Sequence, residues 1–132
     1  VDSPEGQQYL NWMQLSMDFA AENREKMMLA VIPGAMGSYS YVVMGLGNED
    51  SFCSSSHGAG RRYSRKGAME AFTCEEVILD LERQGVVLGK KGKADVAEES
   101  RFAYKDIEIV MENQKDLVIP VKRLKTIGVV KG

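Results

Sequence analysis

The residues with the clearest chemical potential surround the single histidine of the chain, His57. A tripeptide of small residues, Gly58-Ala59-Gly60, follows it directly, and three arginines come next, at positions 61, 62 and 65. Small residues let backbone N–H groups approach an anion closely, and guanidinium groups suit phosphate recognition. A histidine at such a place can be a nucleophile, a general base or a metal ligand. These residue types together predict a loop that handles phosphoryl groups.

Alternatives to this reading of His57 remain open from the residues alone. A lone histidine near glycines is more often structural or capping than nucleophilic. A serine–histidine hydrolase is disfavoured because the sequence has no Gly-x-Ser-x-Gly elbow. Arg62 and Lys66 are typical of a solvated surface, and Tyr104 is typical of a core aromatic residue.

The composition predicts one domain and demands no particular partner. A chain of 132 residues can bury a real core, and its net charge of −2 does not call for nucleic acid. Cys53 and Cys74 are too few for a disulfide framework, so buried free thiols in a reducing cytosol are expected. No stretch approaches the roughly 20 apolar residues of a membrane span, and no signal peptide is recognisable. We therefore predict a cytoplasmic protein that does not enter a membrane.

The chain is predicted to begin with a long amphipathic helix. Ser3-Pro4-Glu5 has the features of a helix start, with an N-cap, a proline in the first turn and an acid. Apolar residues then recur near helical spacing to about residue 29. The methionines at positions 13, 17, 27 and 28 are predicted to pack in the core or to form a face that binds another helix.

The segments that must position His57 alternate between short strands and short helices. The predicted elements are a turn at 33–37, a buried strand at 39–46, a second strand beginning at 52–53, helices at 64–71 and from the Thr73/Glu76 capping box to Gly85, a strand at 86–88, a helix at 106–111, and strands at 117–121 and 127–130. Pro120 predicts an edge strand or a bulge. A basic loop at 89–93 and an acidic segment at 97–100 are predicted to be exposed. This pattern indicates an α+β fold with a mixed or antiparallel sheet and packed helices.

Several blocks, in this order, resemble the RtcB family of RNA ligases. They are Pro33-Gly34-Ala35-Met36-Gly37, Ser40-Tyr41-Val42-Val43, His57-Gly58-Ala59-Gly60-Arg61 with Ser64-Arg65, Tyr104-Lys105-Asp106, and Val130-Lys131-Gly132. The opening helix, with Tyr9-Leu10, Phe19-Ala20 and Asn23-Arg24, also looks like a helix of that family. The resemblance implies an RtcB-type fold in which 1–132 is a single C-terminal portion, with a helix over 1–31 and a nucleotide-binding part with the catalytic histidine loop over 32–132.

The resemblance also implies an activity. RtcB ligases join RNA ends that carry a 3′-phosphate or 2′,3′-cyclic phosphate to 5′-hydroxyl ends, using GTP and manganese through a histidine–GMP intermediate. By motif match, His57 is the nucleophile that takes GMP. The residues that bind GTP or GMP are Ser40, His57, Gly58, Ala59, Gly60, Tyr104 and Lys131, and those that hold RNA or phosphate are Arg61 and Arg65. The partners are GTP and RNA such as tRNA halves or damaged RNA, for a monomer or an unassigned oligomer.

The chain also departs from the family pattern. The N-terminal metal ligands of the family, and a segment with a further metal-ligand histidine between the Asn23-Arg24 helix and the Pro33-Gly34 turn, are missing from this sequence. Ala35 stands where the family often has a hydroxyl. We therefore expect no metal ligands within this chain. A truncated, inactive RtcB-like domain that only binds nucleotide or RNA phosphate is the alternative, and a split enzyme with a second chain is a further one.

Overall fold

The computed structural model describes residues 3–26, 29–89 and 96–130, with the backbone alone for 23–26. The helices are α1 (Pro4–Lys26), α2 (Arg65–Ala71), α3 (Cys74–Arg83) and α4 (Ile107–Glu112), and the strands are β1 (Leu29–Ile32), β2 (Ser40–Gly45), β3 (Val87–Gly89), β4 (Val118–Leu124) and β5 (Gly128–Val130). Single 3₁₀ turns lie at Glu49–Ser51, Ala97–Glu99 and Arg101–Ala103. The predicted α+β class is confirmed.

The strands form two small sheets. The first is antiparallel with the order β1-β2-β4, and the second pairs β3 with β5 in parallel. Within β1, Val31 lies opposite Val42 and Ile32 opposite Tyr41. β4 is an edge strand whose register shifts at Val42/Val43, beside Pro120. The edge position and the bulge predicted from Pro120 are both confirmed, because proline cannot supply a ladder N–H.

Two clusters of buried, mainly hydrophobic residues form the core. The larger joins the antiparallel sheet to α4 and consists of Ile32, Tyr41, Val43, Ala59, Ile107, Met111 and Val118. In β2 only alternate residues, Tyr41 and Val43, are buried, as the two-residue period of a strand requires. The second cluster lies under α3 and consists of Val77, Leu81, Val86 and Val96. Ala59 belongs to the first cluster, so the loop that carries His57 is anchored in the core.

The short helices begin and end where local chemistry predicted. Thr73 and Glu76 form the capping box that opens α3. Gly85, with φ +71°, follows the end of the same helix in the left-handed region that glycine adopts easily. Asp106 caps α4 and Ser64 caps α2.

Several predictions around α1 were wrong. The helix ends at Lys26, and Leu29 already belongs to β1. Met13 and Met17 do not pack in the core, because both side chains are exposed; the alternative, a face that binds another helix, stays a prediction. Met27 and Met28 lie outside the described residues, so their part of the prediction stays untested. None of the described helices is long and apolar enough to cross a membrane.

Three further predictions were also wrong. Phe52 and Cys53 form no strand, because both have φ above +50° in the left-handed region. Cys53 is exposed rather than buried. The acidic segment is not a solvated run either, because Ala97 and Ser100 are buried and Glu98 and Glu99 are half-buried. The basic residues at 90–93 lie outside the described residues.

Candidate nucleotide and phosphate site

The loop that carries His57 is held mainly through its backbone. The Ala59 N–H donates to the Pro33 carbonyl at 3.1 Å. On the N-terminal side of the histidine, the Ser56 N–H donates to the buried side-chain carbonyl of Gln114 at 3.1 Å. The Ser56 hydroxyl donates to the Gly58 carbonyl across the histidine. These bonds fix the backbone on both sides of His57 and leave its side chain uninvolved.

The two glycines of the tripeptide are favoured, Gly58 by space and Gly60 by conformation. A Cβ on Gly58 would lie 3.3 Å from the Pro33 carbonyl oxygen. Gly60 has φ +73°, a conformation that costs residues with a Cβ about 1–2 kcal/mol. Two of the three N–H groups already have partners, since Gly58 approaches Ser56 Oγ at 3.4 Å and Ala59 donates to Pro33. Within the described residues, the Gly60 N–H makes no hydrogen bond and remains able to meet an anion.

The His57 side chain is exposed and faces open space. It lines a cavity of about 810 Å³ with the tripeptide, Arg62, Lys105 and the side of α4. It also lines two smaller cavities, of about 310 and 510 Å³, toward the antiparallel sheet. No hydrogen bond or ion pair of the imidazole is found within the described part of the chain. The ring is therefore accessible, as a nucleophile or a ligand must be.

Arg61, directly after the tripeptide, is engaged in a dense side-chain network. Its guanidinium contacts Glu99 Oε1 at 2.7 Å and donates to the Glu98 carbonyl at 2.8 Å. The Tyr104 hydroxyl donates to the other carboxylate oxygen of Glu99. The guanidinium also lies 4.6 Å from the centroid of the Tyr104 ring, within cation–π range. We call Arg61, Glu99 and Tyr104 the arginine–tyrosine clamp.

The clamp changes the acidity of its tyrosine. Burial raises the pKa of Tyr104 to about 12, helped by the hydrogen bond to Glu99 and by its negative charge, while Arg61 acts in the opposite direction. The phenol is therefore protonated throughout the physiological range, with its proton directed to Glu99. The backbone strengthens the same junction, because the Lys105 N–H donates to the Gly60 carbonyl at 2.9 Å and Arg62 donates to Ala103 at 2.8 Å.

Three other predicted site residues do not line the large cavity that contains His57: Ser40, Tyr104 and Arg65. Ser40 begins β2 and its hydroxyl accepts from the Gly34 N–H at 3.3 Å, so it steadies the Pro33 turn that holds Ala59. Ser40 does not line the large His57 cavity, and Tyr104 lines a neighbouring one. Arg65 is the exposed first residue of α2. Lys131 lies outside the described residues, so its predicted role stays a prediction.

The donor set of the described residues does not fit a manganese site. No group of three or more histidine, cysteine, aspartate or glutamate side chains within the described ranges could hold a metal ion. His57 alone, with no carboxylate bonded to it there, supplies a single imidazole ligand. Manganese needs several oxygen and nitrogen donors. Any metal used with His57 must be held by other residues.

Two residues of the site were missed by sequence reasoning. Gln114 reaches Ser56 across 58 positions, and nothing in its local sequence signals burial. Glu99 was taken for part of an exposed acidic run, whereas it pairs with Arg61 across 38 positions. Ala97 and Ser100, on either side of the two acids, are buried, and no sequence signal for this burial is apparent.

Comparison with known proteins identifies the family. The family model described as tRNA-splicing ligase RtcB matches residues 28–132. An RNA-splicing ligase RtcB of Escherichia coli is 46% identical over 102 residues, covering 77% of this chain and 24% of that protein. A tRNA-splicing ligase RtcB of Methanopyrus kandleri is 43% identical over 106 residues, covering 77% of this chain and 11% of that protein. An RNA-splicing ligase RtcB of Mycobacterium tuberculosis is 38% identical over 104 residues, with 77% and 24% covered.

The fold and the site together define an α+β protein with an accessible histidine beside a glycine-flanked turn. The chain belongs to the RtcB family. It spans about a quarter or less of the length of the curated relatives it matches. α1 precedes the matched region, so its likeness to a family helix stays a prediction.

Proposed function

We propose that this chain supplies the catalytic histidine loop of a GTP-dependent, RtcB-type RNA ligase. The observation that carries the proposal is the position of His57: its backbone is fixed by Gln114 and by the Pro33 turn, while its imidazole is exposed in a large cavity. A nucleophile needs this combination of a held backbone and a free side chain. The family membership and the names of the relatives, RNA- and tRNA-splicing ligases, support the reaction class.

The proposed first step forms a covalent bond to His57. The lone pair of one imidazole nitrogen attacks the α-phosphorus of GTP, the new N–P bond forms, and the bond to the bridging oxygen breaks, releasing pyrophosphate. The proton on the other ring nitrogen then passes to solvent. An oxygen of the RNA 3′-phosphate next attacks the same phosphorus, the N–P bond breaks, and the ring takes a proton back from solvent, which regenerates neutral His57. The 5′-hydroxyl of the second RNA end finally attacks the activated 3′-phosphate, its proton passes to solvent, and the bond to GMP breaks, so that GMP leaves.

The surrounding residues are assigned roles in this proposal from the family motifs and, where the structure describes them, from their contacts. Gly58, Ala59 and Gly60 keep the loop close to the phosphates, with the Gly60 N–H as the available donor. Tyr104, Ser40 and Lys131 are proposed to contact the guanine or its ribose. Arg65 is exposed and suits RNA phosphate. The guanidinium of Arg61 is also proposed to hold phosphate, although it is already bound to Glu99. Manganese would be supplied by residues elsewhere, since the described donors do not form a site.

The proposed substrates are RNA ends with a 3′-phosphate or cyclic phosphate and a 5′-hydroxyl, such as tRNA halves or damaged RNA in the cytoplasm. The test is a covalent labelling experiment on the full chain. The chain is incubated with GTP labelled at the α-phosphate and manganese, alone and with the N-terminal portion of the Escherichia coli relative. Denaturing electrophoresis and mass spectrometry then locate any attached GMP.

We expect label on His57 when the complementing portion is present, and none in His57→Ala. Ser55→Ala, a change two residues away in the same loop, is the matched control and should keep the label. Label on another residue, label that persists in His57→Ala, or no label with the complementing portion would contradict the proposal. In the last case, retained binding of GTP would point to the inactive nucleotide-binding domain instead.

A further inference from the structure

Three aromatic rings beside the histidine loop form a continuous row. The Tyr63 and Phe72 rings meet edge to face with centroids 5.5 Å apart. The Phe72 and Phe102 rings are 6.0 Å apart and tilted by 39°. Phe72 is half-buried, but Tyr63 and Phe102 keep 41% and 47% of their surface exposed. We call these three residues the aromatic row.

Contacts with neighbouring residues position the aromatic row, although its ends are open. The Arg101 guanidinium lies 4.9 Å from the Phe102 ring centroid and is itself fixed by two bonds to Asp80, of 2.7 and 2.8 Å. The Tyr63 N–H donates to the Ala103 carbonyl at 3.2 Å. Exposed rings that are already ordered lose little conformational entropy when a ligand stacks on them. Stacking of a ligand on these exposed rings therefore requires little additional ordering.

The rings line a cavity of about 500 Å³ that also contains cations. Arg62 and Lys105 lie in its wall, and both are exposed. Asp106 is also in the wall, where its carboxylate accepts from the Glu108 N–H at the start of α4. Within the described residues, no ion pair is found for Arg62 or Lys105. The cavity thus offers flat apolar surfaces and two positive charges available to an anion.

This cavity adjoins the one that contains His57. Arg62, Lys105 and Asp106 line both of them. A flexible strand whose end lies at His57 can therefore continue past the two cations and reach the aromatic row without leaving the surface. Along such a strand, phosphates would meet Arg62 and Lys105, and a base would meet Tyr63 or Phe102.

Stacked bases and neutralised phosphates are how proteins bind single-stranded nucleic acid. We propose that the aromatic row, with Arg62 and Lys105, binds a nucleotide of the RNA strand whose end reacts at His57. This inference rests on the proposed function and adds a binding site to it. Its ligand is an unpaired nucleotide within an RNA chain, held by stacking and by its phosphates, with no selection among bases required.

The first test replaces the rings without removing their apolar packing. Tyr63→Leu and Phe102→Leu are compared with Phe52→Leu, an exposed phenylalanine that lines neither cavity. Binding of a short fluorescent single-stranded RNA with a 3′-phosphate is measured by anisotropy at fixed salt, without GTP. We expect at least about a fivefold loss of affinity for each cavity ring, because stacking on one aromatic side chain contributes that much or more. Phe52→Leu should bind like the unchanged chain.

The second test addresses the charges. Arg62→Gln should weaken RNA binding and reduce the dependence of affinity on salt, because one phosphate contact is lost. Lys66→Gln is the matched control, since Lys66 is an exposed cation that lines neither cavity and lies 3.9 Å from Glu70. Circular dichroism and the unfolding midpoint of each variant establish that the fold is kept.

The outcomes separate this proposal from the function on which it rests. RNA binding is measured without GTP, so loss of affinity in the ring variants supports the site even if His57 takes no GMP. Unchanged affinity in both ring variants, equal loss in Phe52→Leu, or no RNA binding by the chain would overturn the proposal.

Discussion

The two ends of the Gly58-Ala59-Gly60 tripeptide are built in opposite ways. At the N-terminal end, His57 is held by backbone bonds to Gln114 and Pro33 around it, and its side chain is exposed. At the C-terminal end, Arg61 has its guanidinium bound to Glu99, to the Glu98 carbonyl and over the Tyr104 ring. The N-terminal end exposes the His57 side chain. The C-terminal end uses the Arg61 side chain to join the loop to the 97–104 segment.

This difference shows how a short loop can be held in place and still expose a side chain. Bonds to the backbone restrict the position of His57 without occupying its nitrogen atoms. Bonds through Arg61 join the loop to the 97–104 segment, where the carboxylate of Glu99 is shared by two partners. Substitutions that weaken each end separately should therefore have different effects.

Removing the charge of Glu99 should open the arginine–tyrosine clamp. Glu99→Gln leaves Arg61 without its carboxylate and weakens the Tyr104 hydrogen bond, and the Arg61 and Glu99 side chains are only 24% and 26% exposed. We expect the free energy of unfolding to fall by about 2 kcal/mol, as for hydrogen bonds to charged groups. Urea unfolding followed by circular dichroism measures the change.

The matched control for this change is Glu112→Gln. Glu112 pairs with Lys115 at 2.6 Å, but their side chains are 70% and 74% exposed. An exposed pair of this kind contributes between about 0 and 1 kcal/mol. Equal losses in Glu99→Gln and Glu112→Gln would show that the clamp is no more than a surface ion pair.

Replacing the buried amide behind His57 should act on the other end of the tripeptide. Gln114→Met keeps the size of the side chain but leaves the Ser56 N–H without its acceptor. We expect a loss of about 1–2 kcal/mol in the free energy of unfolding, the usual cost of an unsatisfied buried donor. The yield of covalent GMP in the complemented assay should fall further than in Glu99→Gln.

Gln14→Met provides the comparison for this substitution. Gln14 is exposed on α1 and donates to Asp18 at 2.8 Å, so its loss should leave both unfolding and labelling unchanged. A Gln114→Met variant with full labelling would mean that the Ser56 bond does not position His57.

The smallest effect concerns the ionisation of Tyr104 at high pH. Its pKa is raised to about 12 in the folded chain, from an ordinary value near 10. The folded state therefore holds the proton more tightly, so this contribution to stability is complete below about pH 10 and is lost as the pH rises toward 12. Ultraviolet difference spectroscopy follows the phenolate, and Tyr104→Phe identifies its signal. Glu99→Gln should return the pKa toward 10, and an unmoved pKa would exclude Glu99 as one of its causes.

Features set by local chemistry were predictable from the sequence. The Thr73/Glu76 capping box, the end of α3 at Gly85 and the bulge beside Pro120 each depend on a few neighbouring residues. The family resemblance pointed to His57 itself. The α+β class followed from the alternation of such local signals.

Features set by distant contacts were not predictable in the same way. Glu99 looked like exposed charge because its partner Arg61 lies far away in the sequence. Phe52 and Cys53 have the residue types of a strand, but the turn that follows Asn48 forces both into left-handed conformations. The apolar residues of α1 have helical spacing, yet no sequence rule states what they pack against, and Met13 and Met17 are exposed.

The two outer edges of the antiparallel sheet have unequal consequences for self-association. β4 carries Pro120, a bulge and the cations Lys122 and Arg123, all of which oppose the addition of another strand. β1 has the sequence Leu-Ala-Val-Ile, with Leu29 and Val31 exposed, and among the described strands it pairs with β2 alone. Aggregation at high concentration should therefore begin by strand addition at β1. A single lysine at Val31 would give that edge the protection that β4 already has.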